Sequence, residues 1–337
     1  MTVTIAPLSA NTSGSAGYAA EMAAALSLSL PDGTGIRVGT VGQPAPGGPE
    51  PDIVHFVADS SHDLHTYAAD FVRSAHSAGA VLTILGIEDP DSEISMAMPD
   101  AWSRIIVLTD ASRKRLVEAG ADPARVVVVP AYVPAPETEA EPADAAESGI
   151  ALMCPVPPPP TLLRELVGAL PELPRNTSLT VGIDGDSPDR GIMETAVREA
   201  AHAAGVSLRV QTKAVRTRPE VHRLLSGSPA VVAFSPAVAG PWHTFAPLAF
   251  GQALLAPPGD LYYDLMQRGH CVRLIDAEKP GHIGACLRAI LSNPIGLAEL
   301  RDRGLRYATL HSPGRTAERM LAVYEDVRPT SRRGGAE

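Results

Sequence analysis

Short runs of β-branched and aliphatic residues alternate with segments whose apolar positions recur at helical spacing along almost the whole chain. In the first half, the helical spacing predicts helices over Ala16–Leu30, Asp63–Ala78 and Asp110–Ala119. Alternation of this kind implies a mostly parallel, doubly wound sheet, which binds ligands at the carboxyl ends of its strands. The predicted strands are Val3–Leu8, Ile36–Val41, Asp52–Val57, Val81–Leu85, Ile105–Thr109 and Val126–Val129.

The alternation stops between Pro134 and Ser148, where Pro, Glu, Asp and Ala follow one another without apolar periodicity. It starts again at Ile150, which predicts a second α/β domain. Its predicted strands are Ile150–Cys154, Leu179–Ile183, Leu208–Gln211, Val231–Phe234, Ala253–Ala256 and Val272–Ile275. Its predicted helices are Thr161–Leu170, Asp189–Ala204, Arg218–Leu225, Asp260–Gln267, His282–Leu291 and Gly296–Ala308.

The break in the pattern predicts a division into two domains, which suits a chain of 337 residues. Near the end of the chain, Thr316–Asp326 has the apolar stripe of an amphipathic helix, and that stripe needs cover. The predicted organisation is a first α/β domain over residues 1–133, a linker over 134–148, a second α/β domain over 149–315, a helix over 316–328 that returns to the first domain, and a tail over 329–337.

The composition of the chain argues against several classes of function. Hydrophobic residues make up 45% and charged residues 20%, and the formal net charge is −10. Such a balance argues against broad binding to nucleic acid or to an anionic membrane. The sequence has neither a signal peptide pattern nor an apolar run long enough to span a bilayer. Three widely spaced cysteines, Cys154, Cys271 and Cys286, indicate reduced core thiols rather than a metal site or disulfides, so we expect a cytoplasmic protein.

The order of the elements resembles family 4 of the GT-B glycosyltransferases along nearly the whole chain. The residues from Asp52 to Phe56 are similar to that family's strand with a His. The stretch from Arg104 to Pro130 is similar to the elements that close its first domain, and Ala230–Pro257 to its donor-site strand, loop and helix. The resemblance implies a GT-B fold, with two doubly wound Rossmann-like domains facing across a cleft.

The same resemblance implies an activity, which is the retaining transfer of a sugar from a nucleotide-diphosphate sugar to an acceptor, without a metal or other cofactor. The first domain would bind the acceptor, a small molecule or a glycan, and the second would bind the donor. No nucleic acid partner and no membrane span are expected.

Several charges that this mechanism needs are replaced by neutral residues. The place of the family's Arg-Lys pair, Cys154–Thr161, holds no cation. Aligning Gly251 with the glycine that ends the family's donor-site helix puts the two carboxylates at Val238 and Ala246, whose side chains accept no hydrogen bond. Gly86 stands near the place of the family's catalytic His. The catalytic residues therefore cannot be assigned from the resemblance.

Other polar residues are candidates for the donor side. A basic group follows Val210, in a loop that would face the cleft, and it could contact a phosphate or form a solvated turn. At the predicted start of a helix, a Thr could contact the donor or cap the helix. The donor-side candidates are Lys213, Arg216, Arg218, His243, Thr244 and Phe245.

The acceptor-side candidates lie at strand ends and in a Gly-x-x-Gly loop, where glycine permits close backbone approach. Two histidines fall near the end of a strand, and two carboxylates follow the fourth strand. Each also has an ordinary explanation as part of a tight turn or as a solvated polar residue. These candidates are Gly14, Gly17, His55, His62, Glu88 and Asp89.

Two hypotheses remain open. The chain could be a nucleotide-sugar glycosyltransferase with a rebuilt site, in which Lys213, Arg216 and His243 substitute as phosphate contacts. It could instead be an inactive scaffold that binds a protein partner or a small ligand, since each lost charge of this kind costs on the order of 3 kcal/mol in transition-state stabilisation. An unrelated nucleotide-binding enzyme would be expected to carry a Gly-x-Gly-x-x-Gly fingerprint, which is absent.

Overall fold

The structure is a computed structural model of the chain. It describes residues 1–8, 15–30, 35–39, 51–58, 79–85, 102–134, 149–154, 165–166, 168–173, 178–183, 190–203, 205, 207–211, 221, 225, 228–233, 241–276 and 278–328.

The first half forms a six-stranded sheet in which all the paired strands are parallel, in the order β2-β1-β3-β4-β5-β6. Three described helices belong with this sheet: α1 (Ser15–Ser29), α2 (Asp110–Glu118) and α8 (Pro313–Val327). The strands are β1 (Thr2–Pro7), β2 (Gly35–Val38), β3 (Ile53–Ala58), β4 (Gly79–Ile84), β5 (Arg104–Val107) and β6 (Val126–Val128).

Both faces of this sheet are covered, because every residue of β3 and β4 is buried. Parallel strands covered on both faces appear in sequence as continuous apolar runs, as these two do. Val54 and Phe56 on β3 pack with Leu82 on β4 and Leu116 on α2. Successive side chains of a strand point to opposite faces, so His55 lies on the other face.

The second half forms another six-stranded parallel sheet, in the order β12-β11-β10-β7-β8-β9. Its strands are β7 (Gly149–Cys154), β8 (Ser178–Ile183), β9 (Ser207–Gln211), β10 (Ala230–Ala233), β11 (Ala253–Ala256) and β12 (Val272–Leu274). The described helices that accompany it are α3 (Arg190–Ala203), α4 (Pro241–Ala249), α5 (Asp260–Asp264), α6 (His282–Leu291) and α7 (Pro294–Leu310).

The core of the second half forms where helices pack on the inner strands. Ile150, Val232 and Leu255 come from three adjacent strands, and they pack with Ile283 and Leu287 of α6. All five are completely buried. Burial of one large aliphatic side chain contributes about 1.5–3 kcal/mol, so this cluster is a main source of stability in the second half.

Most described helices lie within two residues of their predicted ends, and two depart from them by three residues. The last helix, α8, begins at Pro313 rather than Thr316, because the side chain of Ser312 accepts a hydrogen bond from the amide of Arg315 and Pro313 suits the first turn. The helix predicted over Asp260–Gln267 is α-helical only to Asp264, and a π-helical turn follows. That turn ends at His270, which has a left-handed backbone (φ 48°).

The predicted fold class, two doubly wound α/β domains, is confirmed by these two sheets. The contacts divide the chain into two compact units. One contains Met1–Tyr132 and His311–Glu337, and the other contains Val133–Leu310. Within the first unit, α8 packs against α1 and β4. The predicted helix over Asp63–Ala78, most of the one over Arg218–Leu225, and the predicted linker after Pro134 lie outside the described residues.

Gly79, at the start of β4, provides a test of how closely α8 packs on the first sheet. A Cβ at this position would lie 2.7 Å from the carbonyl oxygen of Val327, at the end of α8. We expect Gly79→Ala to lower the free energy of unfolding by about 1–3 kcal/mol, because the backbone of α8 must shift. Chemical denaturation of the Gly79→Ala variant and of the parent protein measures the change in the free energy of unfolding.

Gly35→Ala is the matched control. Gly35 also begins a strand of this sheet, but its Cβ would meet Thr2 at an ordinary 3.8 Å. An equal loss of stability in both variants would show that the approach of α8 is not the cause.

Candidate functional site

The second sheet reverses its winding between β7 and β10. The chain runs outward from β7 through β8 to β9, and then returns to place β10 on the other side of β7. In open parallel sheets, a ligand binds at the carboxyl ends of the two strands at such a switch point. Those ends are Cys154 and Ala233. The fold therefore places a candidate site beyond these two residues.

Helix α4 follows β10 and begins near this edge of the sheet. Pro241 is its first residue, a position where the missing amide costs no hydrogen bond. The helix ends in a Schellman motif, in which Gln252 N donates to Pro247 O (2.9 Å) and Gly251 N donates to Leu248 O (3.2 Å). Gly251 has a φ of 64°, as this motif requires. The glycine used for the sequence alignment is thus the one that ends α4.

Two of the donor-side candidates belong to the interior. Thr244 and Phe245 are 1% and 2% exposed on α4, so we assign both a packing role. His243 lies in the first turn of the same helix. Its side chain, together with Lys213, Arg216 and Arg218, lies outside the described residues.

The position aligned with one of the missing carboxylates is also in the interior. Ala246 is completely buried in α4. Val238 and the segment 155–161, where the other charges of the family would fall, lie outside the described residues. The structure therefore places a small apolar side chain where the resemblance would put a ribose-binding carboxylate.

On the acceptor side, Gly17 is the third residue of α1, the helix that follows β1. The first sheet changes direction between β1 and β3, so this helix starts beside the switch point of that sheet. Gly14, His62, Glu88 and Asp89 lie outside the described residues.

His55, an acceptor-side candidate in the sequence, is the third residue of β3 and completely buried. Its Nδ1 is 2.6 Å from the hydroxyl of Tyr324 on α8, and its Nε2 is 2.7 Å from the hydroxyl of Thr83 on β4. The ring also meets Tyr324 edge-on. Burial lowers the pKa of His55 from 6.5 to about 3, so the imidazole is neutral. We therefore assign His55 a structural role.

The two units together resemble a known group of solved structures. A glycosyltransferase from Rickettsia africae superposes with a TM-score of 0.70 at 12% identity, covering 98% of this chain and 99% of the other. HepE from Anabaena, solved with UDP and glucose, has a TM-score of 0.68 at 11% identity, with 97% and 100% covered. The chain has the GT-B glycosyltransferase fold. At such identity the likeness establishes the GT-B fold and not the reaction.

A third GT-B neighbour supports the same conclusion from another enzyme. Sucrose-phosphate synthase from Thermosynechococcus elongatus has a TM-score of 0.67 at 13% identity, covering 97% of this chain and 99% of the other. No protein-family model matches the sequence. No curated protein matches it either. The GT-B assignment of this chain thus rests on its three-dimensional arrangement.

Sequence reasoning missed a group of buried hydroxyls in the first GT-B domain. The rings of Tyr18 and Tyr132 lie 5.1 Å apart, and Tyr18 is close enough to Tyr324 to add to the raised pKa of Tyr324. Burial raises the pKa of Tyr18 and Tyr324 above the ordinary range, so both are protonated. Tyr324 was predicted only as part of an apolar stripe. The available signal was that Tyr324 brings a hydroxyl into an otherwise apolar stripe, where a buried hydroxyl usually has a hydrogen-bond partner.

The described thiols show no sign of nucleophilic chemistry. Cys271 and Cys286 are free and buried, and burial raises the pKa of Cys271 to about 12. Sγ of Cys286 lies 3.7 Å from Nε2 of His282, one turn earlier on α6. Because Nδ1 of His282 accepts from the amide of Asp276 (2.9 Å), the ring carries its proton on Nε2, the nitrogen nearer the sulfur. This imidazole therefore cannot deprotonate the thiol while that bond holds.

Within the described part of the chain, no group of three or more His, Cys, Asp or Glu side chains could hold a metal ion. None of its single helices has both the length and the apolar character required to cross a bilayer.

Replacing Ala246 tests whether the position still suits a carboxylate. We expect Ala246→Glu to lower the free energy of unfolding by roughly 2–4 kcal/mol at pH 8, because burial penalises an ionised carboxylate. Burial raises the pKa of such a group, so the loss should be smaller at pH 5, where it becomes neutral. Thermal unfolding at the two pH values measures the difference.

Ala246→Gln is the control, with similar size and no charge. Its cost should be the same at both pH values. If the Glu and Gln variants behave alike at pH 8, the carboxylate is solvated, and the position still faces a polar site.

Proposed function

We propose that the protein binds a nucleotide-diphosphate sugar in its second domain and is a glycosyltransferase with a rebuilt site. The observation that carries this proposal is the switch point between β7 and β10, with the start of α4 beyond it. HepE, a neighbour of the same fold, has been solved with UDP and with UDP-glucose. A diphosphate at the corresponding edge of this sheet would meet the amides of a helix start, which favour anions.

Positive charge for the diphosphate would come from the loop after β9. That strand is the second from β7, about 10 Å away at a spacing of ~4.8 Å. Lys213 follows the end of β9 by two residues, up to ~7 Å of extended chain, and carries a flexible four-carbon side chain. Arg216 follows three residues later. Both cations therefore follow β9 closely enough along the chain to be proposed as a substitute for the Arg-Lys pair.

His243 would be a further donor contact. Its place in the first turn of α4 puts it at the end of the helix that carries partial positive charge. Arg218 is the third cation of the loop after β9. We do not include Thr244 and Phe245 among the donor contacts, because both are buried in α4.

The acceptor would bind at the corresponding edge of the first sheet. Gly14 and Gly17 flank the start of α1, where the absence of side chains permits close approach. Glu88 and Asp89 follow β4, and His62 follows β3, so all three come after the carboxyl ends of strands. Carboxylates suit the hydroxyls of a small-molecule or glycan acceptor. We place the reaction in the cytoplasm and without a metal cofactor.

An inactive scaffold is the second candidate, and a specific observation favours it. Ala246 is completely buried where a ribose-binding carboxylate would be needed. Val238 and Cys154–Thr161 add no replacement for the other lost charges. A protein that kept the fold but lost these groups would bind a partner protein or a small ligand instead of transferring a sugar.

A thermal-shift panel of nucleoside diphosphates and their sugars separates the two candidates. A ligand that binds only the folded state stabilises it by mass action, by about 2.7 kcal/mol when the ligand concentration is one hundred times Kd. The melting temperature rises accordingly. If the protein is a glycosyltransferase, we expect one nucleoside diphosphate and its sugar conjugate to raise the melting temperature more than the others. If no nucleotide sugar binds at millimolar concentration, the inactive-scaffold hypothesis replaces the glycosyltransferase hypothesis.

Removing the two loop cations tests the phosphate contact. We expect Lys213→Ala with Arg216→Ala to weaken binding of the best nucleotide sugar by roughly 1–3 kcal/mol, the usual loss for charge-assisted contacts. Titration calorimetry measures Kd. Arg303→Ala with Arg306→Ala is the control, because it removes the same charge from the exposed side of α7. Tight binding that survives the loop substitutions would show that the phosphate lies elsewhere.

A further inference from the structure

The last helix completes the cover of the first sheet. Helix α8 packs against α1 and β4, and its inner side is buried. At its end, the side chain of Asp326 forms an ion pair with Arg104 of β5. Both partners are partly exposed, so this ion pair contributes little, and the packing depends on the interior of the contact.

The polar centre of that interior is His55. Both ring nitrogens are within hydrogen-bond distance of hydroxyls, Tyr324 on α8 at 2.6 Å and Thr83 on β4 at 2.7 Å. A neutral imidazole has one donor and one acceptor, and two hydroxyls can satisfy both. An imidazolium could donate to both hydroxyl oxygens, but it would be a charge buried completely between two uncharged partners. The closed arrangement therefore favours the uncharged ring.

The groups that face His55 offer no compensation for a charge. From α8 the titratable group is Tyr324, and from α1 it is Tyr18, whose proximity adds to the raised pKa of Tyr324. Both are neutral phenols. On the same two helices, Glu21 is half-buried, and Asp326 is engaged with Arg104. Burial, and not a charge, dominates the environment of the ring.

We propose that the buried His55–Tyr324 contact makes α8 a proton-sensitive strap, which opens from the first sheet more often at acidic pH while the rest of both sheets stays folded. Opening exposes His55 to water, the imidazole takes one proton from solvent, and the charged ring must release that proton before it can be buried again. No covalent bond changes, and the strap closes again when the proton leaves. This inference does not rest on the proposed function.

The direction follows from linkage. In the closed state burial lowers the pKa of His55 to about 3, whereas in the open state the ring titrates near its ordinary value of 6.5. The contribution of the closed strap is therefore fully present above pH 6.5 and is lost as the pH falls from 6.5 toward 3. The opening constant rises tenfold per pH unit in that window, about 100-fold between pH 7.5 and pH 4.5.

Hydrogen exchange of the full-length protein measures this opening directly. Mass spectrometry of peptides from α8 at pH 7.5 and pH 4.5, corrected for the intrinsic pH dependence of exchange, should show protection falling about 100-fold. Peptides from β5 and α2 in the first unit, and from β11 in the second, should keep their protection. Equal loss in all of these peptides would mean global unfolding and would overturn the strap.

Variants identify the proton acceptor. In His55→Gln the side chain does not titrate, so the corrected protection of α8 should be the same at both pH values. Tyr324→Phe removes the hydroxyl and should lower the protection of α8 already at pH 7.5. A His55→Gln protein that still loses protection at pH 4.5 overturns the proposal.

Thr316→Val is the matched control. Thr316 is also completely buried on α8, but its hydroxyl has no hydrogen-bond partner in the part of the chain that the structure describes. The substitution keeps the shape and removes a hydroxyl, as Tyr324→Phe does, yet should leave both the protection of α8 and its pH dependence unchanged. If His55→Gln does not fold, Thr83→Val takes its place. Unchanged protection of α8 in Thr83→Val and Tyr324→Phe would then overturn the strap.

Discussion

The hydrogen bond between His55 and Tyr324 joins a strand near the start of the chain to its last helix, 269 residues later. This contact helps to meet a general requirement of parallel sheets, which must be covered on both faces. In the first unit, α2 covers one face, and α1 and α8 share the other. The first domain is therefore complete only after the chain has passed through the second and returned at His311.

The inner strands of the first sheet were predictable because they are buried apolar runs. β3 and β4 are buried at every residue, and a run of that kind has few alternatives in an α/β chain. Helix ends were less predictable, because they depend on single capping contacts. Ser312 and Pro313 begin α8 three residues before its apolar stripe, and a π-helical turn interrupts the helical spacing after Asp264.

The site was less accessible from the sequence than the fold. A His inside an apolar run could serve a ligand or the core, and local sequence does not show which face of the strand it takes. Tyr324 decides the question for His55, but only the folded chain brings the two together. Thr244 and Phe245 are a similar case, since their burial depends on how α4 packs. Most other candidates follow strand ends, where periodicity carries no information.

Fold and chemistry depend on different residues here, which explains how the GT-B arrangement can persist where its expected charges are absent. The sheets are held by apolar side chains such as Ile150 and Val232, and none of these contacts needs a charge. An ionised carboxylate in place of Ala246 would have to be desolvated, so a small apolar residue there favours stability while removing a ligand. One buried polar group, His55, has a hydroxyl from a neighbouring element within hydrogen-bond distance of each ring nitrogen. The polarity of His55 therefore specifies how α8 packs on the first sheet. Polar contacts to a bound diphosphate would have to come from other residues.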